Sequence, residues 1–177
     1  GIVLAPEDRK KDGLCTKLPI RENIALPNLD ILCNKLGVVS KKKEDAMCDK
    51  AVIDLHIKTP NVEVDAGSLS GGNQQKVVVA KWLARDSRVV IFDEPTRGID
   101  VAAKVEIYNL MNQLKQQGVA VMFVSSEMPE VMGIADRIIV MCDGRITGEV
   151  MARETTQAEI LTLATQFENK FAEEAAV

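Results

Sequence analysis

Val89-Val90-Ile91-Phe92-Asp93-Glu94-Pro95 sets a four-residue apolar run directly against two carboxylates and a proline. A run this short and this apolar reads as a buried parallel strand, and its abrupt acidic end puts Asp93 and Glu94 at the carboxyl edge of a sheet. That edge is where α/β sheets present side chains to ligands. One carboxylate there suits a Mg²⁺ ion, and its neighbour is placed to polarise water.

Upstream, Leu69-Ser70-Gly71-Gly72-Asn73-Gln74-Gln75-Lys76 heads an apolar helical run with paired glycines. A helix start leaves its first N–H groups unpaired and carries partial positive charge. Gly71 and Gly72 let the backbone approach an anion with no Cβ in the way, and Ser70 is the natural N-cap with a hydroxyl to offer. The stretch therefore reads as a site for a nucleotide phosphate. The loop that would cradle the β- and γ-phosphates, G-x-x-x-x-G-K-[ST], occurs nowhere, and the sequence holds no Gly-Lys dipeptide. The residues present make part of a nucleotide site, to be completed from elsewhere.

With 177 residues, 46% of them apolar, the chain can bury the core of one α/β domain, or of one domain with a helical insertion. A formal charge of -4 argues against a general nucleic-acid surface. The basic clusters Arg9-Lys10-Lys11 and Lys41-Lys42-Lys43 read as solvated faces. Cys15, Cys33, Cys48 and Cys142 are scattered without a C-x-x-C, so neither a zinc site nor a disulfide framework is expected, and a reducing compartment fits. Every apolar run falls well short of the roughly 18 residues that span a bilayer, so membrane association is expected only through a partner. The opening at Gly1, on a strand and without an initiator Met, reads as an excised fragment with sequence missing upstream.

Gly1 to Ala5 reads as a short buried strand, closed by Pro6 and the charged loop Glu7 to Gly13. From there to about Ser87 the pattern is helical. Ala46, Met47, Ala51, Val52 and Leu55 make one stripe with Ser40 as N-cap, and Val78, Val79, Trp82 and Leu83 make the inner face of the helix that follows Ser70. Beyond Phe92 the elements alternate: a helix from Asp100, its expected N-cap, to about Gln117, a strand Val119 to Val124, a short helix Met128 to Ile134, and a strand Arg137 to Cys142. That is a parallel-sheet rhythm. Asp143-Gly144 signals a hairpin, and Thr156-Gln157-Ala158-Glu159 has the capping-box form for a last helix through Ile160, Leu163, Ala164 and Phe167, with fraying over Glu173 to Val177. His56 and Trp82 read as packing residues, Ser126-Glu127 as a structural turn, and the methionines as core filler.

Taken in order, A-P-E-D-R-K, L-S-G-G-N-Q-Q-K, D-E-P-T-R-G-I-D, S-S-E-M-P-E and D-R-I-I-V-M resemble the C-terminal part of the second nucleotide-binding half in ATP-binding subunits of bacterial monosaccharide ABC importers, of the ribose, galactose, arabinose and xylose type. The resemblance implies an α/β, P-loop NTPase-like ABC ATPase core over 1–177, partial because it lacks the Walker A segment, with a parallel sheet, a helical subdomain over 14–87, a Walker B, D-loop and switch region over 88–150, a C-terminal hairpin, and a C-terminal helix and tail over 151–177. It implies ATP and Mg²⁺ as cofactors. Ser70, Gly71, Gly72 and Asn73 match the signature that grips ATP held by the opposite half, Asp93 the Walker B magnesium ligand, Glu94 the residue that polarises attacking water, and Gly98-Ile99-Asp100 the D-loop. Two positions depart from the general pattern. Glu7 stands where the Q-loop glutamine is usual, and Ser126 stands where the switch histidine is usual and cannot present an imidazole to a γ-phosphate. This half's own site is therefore expected to be slow.

The implied partners are the first nucleotide-binding half of the same polypeptide, a membrane permease and, indirectly, a periplasmic or extracellular sugar-binding protein, with no nucleic acid. The implied location is cytoplasmic, on the inner face of the bacterial plasma membrane. The surface expected to meet the permease combines the charges of Pro6 to Gly13 with Ile24, Ala25, Leu26 and Leu29. The alternative is a non-hydrolytic interaction or regulatory module that only completes a partner's nucleotide site. A soluble ABC ATPase of DNA repair or translation would carry a coiled-coil or basic insertion before Leu69, and the sequence has neither.

Overall fold

The computed structural model describes residues 1–85 and 87–166. The end of the last helix expected at Phe167, and the fraying expected over Glu173 to Val177, lie outside the described residues. The chain divides into two compact units, Gly1–Val124 and a second that begins at Ser125.

Strands β1 (Ile2–Ala5), β2 (Val89–Asp93) and β3 (Ala120–Val124) build the sheet of the first unit, all parallel in the order β1-β2-β3. The register pairs Ala5 with Phe92 and Asp93 with Val124, so all three strands end at one edge. Side chains alternate across the sheet. Val3, Ala5, Val90 and Phe92 are buried, while Ile2, Leu4, Met122 and Val124 are exposed. Helices α1 (Ile20–Ala25), α2 (Leu29–Leu32), α3 (Lys41–Asp54) and α4 (Gly71–Leu83) lie between β1 and β2, and α5 (Val101–Gln116) joins β2 to β3. Among the described residues no helix is long and apolar enough to cross a membrane.

Helix α4 is the hub of this unit, packing on α1, α5 and β1. The expected inner face of Val78, Val79, Trp82 and Leu83 is too narrow: every residue from Gly72 to Ala80 is buried, whereas Trp82 and Leu83 are only partly so. Buried polar groups are tolerated when paired. Lys76 Nζ donates to the His56 carbonyl at 3.0 Å and pairs with Glu106 on α5 at 2.9 Å. Hydrogen bonds from Lys76 and then Lys58 hold the Glu106 carboxyl below its ordinary range.

Helix α3 departs from its expected stripe. Cys48 is its buried residue, joined by Leu55 at the C-cap; Met47, Ala51 and Val52 are half-buried, and Ala46 faces solvent. Ser40 occupies the N-cap position through its backbone carbonyl, 3.0 Å from Glu44 N, and its side chain makes no capping bond. His56 is exposed with φ 49°, so it serves to turn the chain after α3 and not to fill a core. Of the seven methionines, Met111 is buried and Met128 and Met132 pack against the core of the second unit, while Met122, Met141 and Met151 are exposed and do not serve the core role expected of them.

Burial pushes the Cys48 thiol up to about 11. Because the thiolate is the nucleophile, Cys48 should resist a maleimide at neutral pH while the exposed Cys15 is labelled. Mass spectrometry of the folded protein reads this directly. Labelling of Cys48 as fast as Cys15 would contradict its place between α1 and α3.

In the second unit, helix α6 (Met128–Ile134) precedes strands β4 (Arg137–Cys142) and β5 (Arg145–Met151), and helix α7 (Gln157–Ala164) follows. β4 pairs antiparallel with β5, as the Asp143-Gly144 hairpin signal led one to expect, and does not extend the parallel rhythm of β1 to β3. The reason is local. Asp143 and Gly144 both take positive φ, 48° and 72°, the primed-turn geometry that folds one strand straight back on the other. Ile138, Val140, Ala152 and Ile160 form the core between hairpin and α7. Only half of the expected capping box forms: Thr156 Oγ1 accepts from Glu159 N at 3.3 Å, while Glu159 Oε2 accepts from the Thr155 hydroxyl at 2.7 Å.

Candidate functional site

The carboxyl edge of the first unit's sheet gathers several of the sequence-identified residues. Pro6-Glu7 follows β1, and Asp93-Glu94 closes and follows β2, one strand away. Asp93 is half-buried and its backbone is still in register with Val124 of β3. Glu94 then turns sharply, with φ 44° and its N–H donating to the Val124 carbonyl at 3.0 Å. A left-handed glutamate is strained, by about 1–3 kcal/mol, and persists only where its surroundings over-determine it. Here the bond to β3 and the following turn, Arg97 N to Glu94 O at 3.1 Å, do so. The strain was not legible in the sequence.

Among the described residues no three or more His, Cys, Asp or Glu side chains cluster as a metal cage. A Mg²⁺ ion does not need such a cage, because it commonly takes one or two carboxylates and fills its other positions with phosphate oxygens and water, and the Asp93 carboxylate at the strand end is compatible with that donor set.

At the head of α4, Ser70 holds the N-cap position with φ -60° and ψ 155°, and its carbonyl accepts from Gln74 N at 2.9 Å. Its hydroxyl does not cap the helix as expected. It accepts instead from Asn73 Nδ2 at 2.9 Å, while Asn73 Oδ1 accepts from Lys58 N at 2.8 Å. Asn73 thus braces Ser70 against the segment after α3. Gln74 folds the preceding loop back, donating to the carbonyls of Gly67 at 3.2 Å and Leu69 at 3.0 Å.

The paired glycines are crowded by their own neighbours. A Cβ at Gly71 would lie 2.7 Å from Arg9 Nη2 and 2.9 Å from Ile99 Cγ2, and one at Gly72 would lie 2.7 Å from the Ala103 methyl. Gly72 is therefore where α4 and α5 touch. Asp100 caps α5 as expected, its Oδ1 accepting from Ala103 N at 2.9 Å.

Two further residues complete this cluster. Glu7 forms an ion pair with Arg97. Arg9, which sequence reading left on a solvated face, reaches Gln74, the Arg97 carbonyl and the Gly98 carbonyl. Its sequence signal was its place in the A-P-E-D-R-K motif, which assigned it no role. Ser126 belongs to the second unit, where the turn before α6 is made by its neighbour: Ser125 Oγ accepts from Glu127 N at 3.1 Å and donates to Glu130 at 2.9 Å.

The family profile described as ABC transporter matches residues 5–97. The ribose import ATP-binding protein RbsA of Bacillus subtilis (strain 168) is 54% identical over 165 residues, which cover 93% of this chain and 33% of that protein. The xylose import ATP-binding protein XylG of Thermoanaerobacter pseudethanolicus is 51% identical, covering 93% of this chain and 32% of that one. The chain spans about a third of the length of the curated relatives it matches. Two solved structures share the fold: a dimeric ATP-binding cassette in a post-hydrolysis state with ADP and Pi, at TM-score 0.70 and 24% identity over 87% of this chain and 64% of that one, and an inward-facing ABC transporter of the metal-chelate type, at TM-score 0.73 and 18% identity over 94% and 63%. With a match over more than half of its length and an α/β core of the same architecture, this chain belongs to the ABC transporter family.

Proposed function

We propose that this chain is the C-terminal part of the second nucleotide-binding half of an ATP-hydrolysing subunit that energises import of a monosaccharide. The relatives named for ribose and xylose import support the substrate class. The observation that carries the chemistry is the end of β2, where Asp93 and a backbone-strained Glu94 stand at the carboxyl edge of the sheet. In this reading residues 14–87 form a helical subdomain that presents the signature, and 88–150 carry the Walker B, D-loop and switch elements. Asp93 would hold Mg²⁺, and Glu94 would accept a hydrogen bond from the attacking water. Bound Mg²⁺ would neutralise charge developing on the phosphate oxygens. Ser70, Gly71 and Gly72 would offer the N-terminal end of α4 to ATP held by the first half of the same polypeptide, and Asn73 would keep Ser70 in place.

The permease and a sugar-binding protein outside the membrane are the proposed partners, and the inner face of the plasma membrane is the proposed location. Of the surface expected to meet the permease, Leu26 and Leu29 are exposed, while Ile24 and Ala25 are buried in the core and cannot belong to it.

The complete polypeptide, reconstituted with its permease in vesicles, should take up a labelled pentose or hexose only with ATP. Glu94→Gln should reduce steady-state hydrolysis less than the equivalent change in the first half, because Ser126 leaves this half without a switch imidazole. Equal and near-total losses from both variants would overturn the asymmetry. ATP hydrolysis that no monosaccharide stimulates and that drives no uptake would overturn the importer.

A further inference from the structure

We propose that Arg9 and Glu7 form a latch that holds the D-loop against the head of the signature helix, so that both act as positioning residues for ATP hydrolysis. The proposal rests on the reading of this chain as part of an ATPase. One guanidinium joins three segments remote in sequence: Arg9 Nε donates to Gln74 Oε1 at 3.3 Å, Nη1 to the Arg97 carbonyl at 3.1 Å and Nη2 to the Gly98 carbonyl at 3.5 Å. Two consecutive carbonyls of the D-loop approach are thereby held by one planar fork. Gly98 between them and Ile99 has φ 68°, so this is a turn whose shape depends on its bonds. From it the chain runs into Asp100, which caps α5.

The other end of the latch is the signature. The space that a side chain at Gly71 would fill is taken by Arg9 Nη2 and the Ile99 methyl, so the D-loop, Arg9 and the first turn of α4 are in direct contact. Gln74, which receives Arg9, also anchors the loop before Ser70 through Gly67 and Leu69. Glu7 adds a second tie by pairing with the Arg97 side chain. A shift of the segment after β1 must therefore move the D-loop, the signature or both. Lysine cannot substitute, since an ammonium on a flexible stem lacks the fork that spans two carbonyls and an amide.

The test uses the complete subunit with its permease. Arg9→Ala and Arg9→Lys should each lower kcat for ATP about tenfold or more with KM changed less than about twofold, and with melting temperatures within a few degrees of wild type. Glu7→Gln, at an exposed position that folding tolerates, should lower kcat by a smaller factor, about threefold. Wild-type hydrolysis with kcat within twofold for both Arg9 variants and for Glu7→Gln would overturn the latch while leaving the ATPase intact. So would rescue by Arg9→Lys, or a loss of kcat that merely tracks a large fall in melting temperature. Absence of hydrolysis in the wild-type complex would instead overturn the ATPase reading on which the latch rests.

Discussion

Gly71→Asp in the proposed two-half protein is expected to lower steady-state ATP turnover at least tenfold, a barrier increase of about 1.4 kcal/mol or more. Two effects add. A Cβ at this position meets Arg9 Nη2 at 2.7 Å and Ile99 Cγ2 at 2.9 Å, so the side chain displaces the D-loop contact. Its carboxylate also sets negative charge at the helix end proposed to receive a phosphate, and offers Arg9 a local partner that competes with Gln74 and the Arg97 carbonyl. Gly71→Ala isolates the steric part and should fall between wild type and the aspartate variant, because the displaced atoms are the ends of side chains. Ser70→Arg should be as damaging, since it sets bulk at the same approach. ATPase assays on the purified transporter decide the matter. Turnover of Gly71→Asp within twofold of wild type, about 0.4 kcal/mol, would mean that the signature is not used.

Ile24→Asp is expected to abolish stable folding, although the same substitution two residues later is tolerated. Ile24 is 0% exposed on α1 and lies in the core with Ile20, Leu32 and Cys48, so an aspartate there is a buried charge without a built partner. The penalty, several kcal/mol, is comparable with the whole stability of a typical domain, about 5–15 kcal/mol. Leu26 is 52% exposed, and Leu26→Asp should stay within about 0.5 kcal/mol. Urea titration of both variants gives the contrast. A cooperative transition for Ile24→Asp with an unchanged midpoint would contradict the burial of α1. Leu26→Asp combined with Leu29→Asp is then the variant that reports on the proposed docking to a permease without confusing it with misfolding.

Much of the fold was legible because it depends on neighbours along the chain. The apolar run Val89 to Phe92 did form a parallel strand, Asp100 did cap the next helix, and Asp143-Gly144 did turn a hairpin. These follow from side-chain alternation, from a carboxylate within reach of an N–H three residues on, and from backbone angles that few residues adopt. Errors arose where a pattern was sound but its neighbours were unknown. Ala46 and Ile24 are both apolar at helical spacing, yet Ala46 is exposed and Ile24 is buried, because only the second lies between packed helices.

By itself, then, the sequence determined the elements, the acidic end of β2, the glycines at the head of α4 and the family to which they belong. Tertiary structure decided what those residues touch. It brought Arg9 to Gln74, Arg97 and Gly98 across separations of 65, 88 and 89 residues, gave Gly71 and Gly72 neighbours that must shift to admit a Cβ, buried Lys76 beside Glu106, and forced Glu94 into a left-handed backbone against β3. None of these can be read from local propensity. Each depends on segments that meet only when the strands and helices pack together, and it is steric exclusion and hydrogen-bond geometry at those meetings that select the residue.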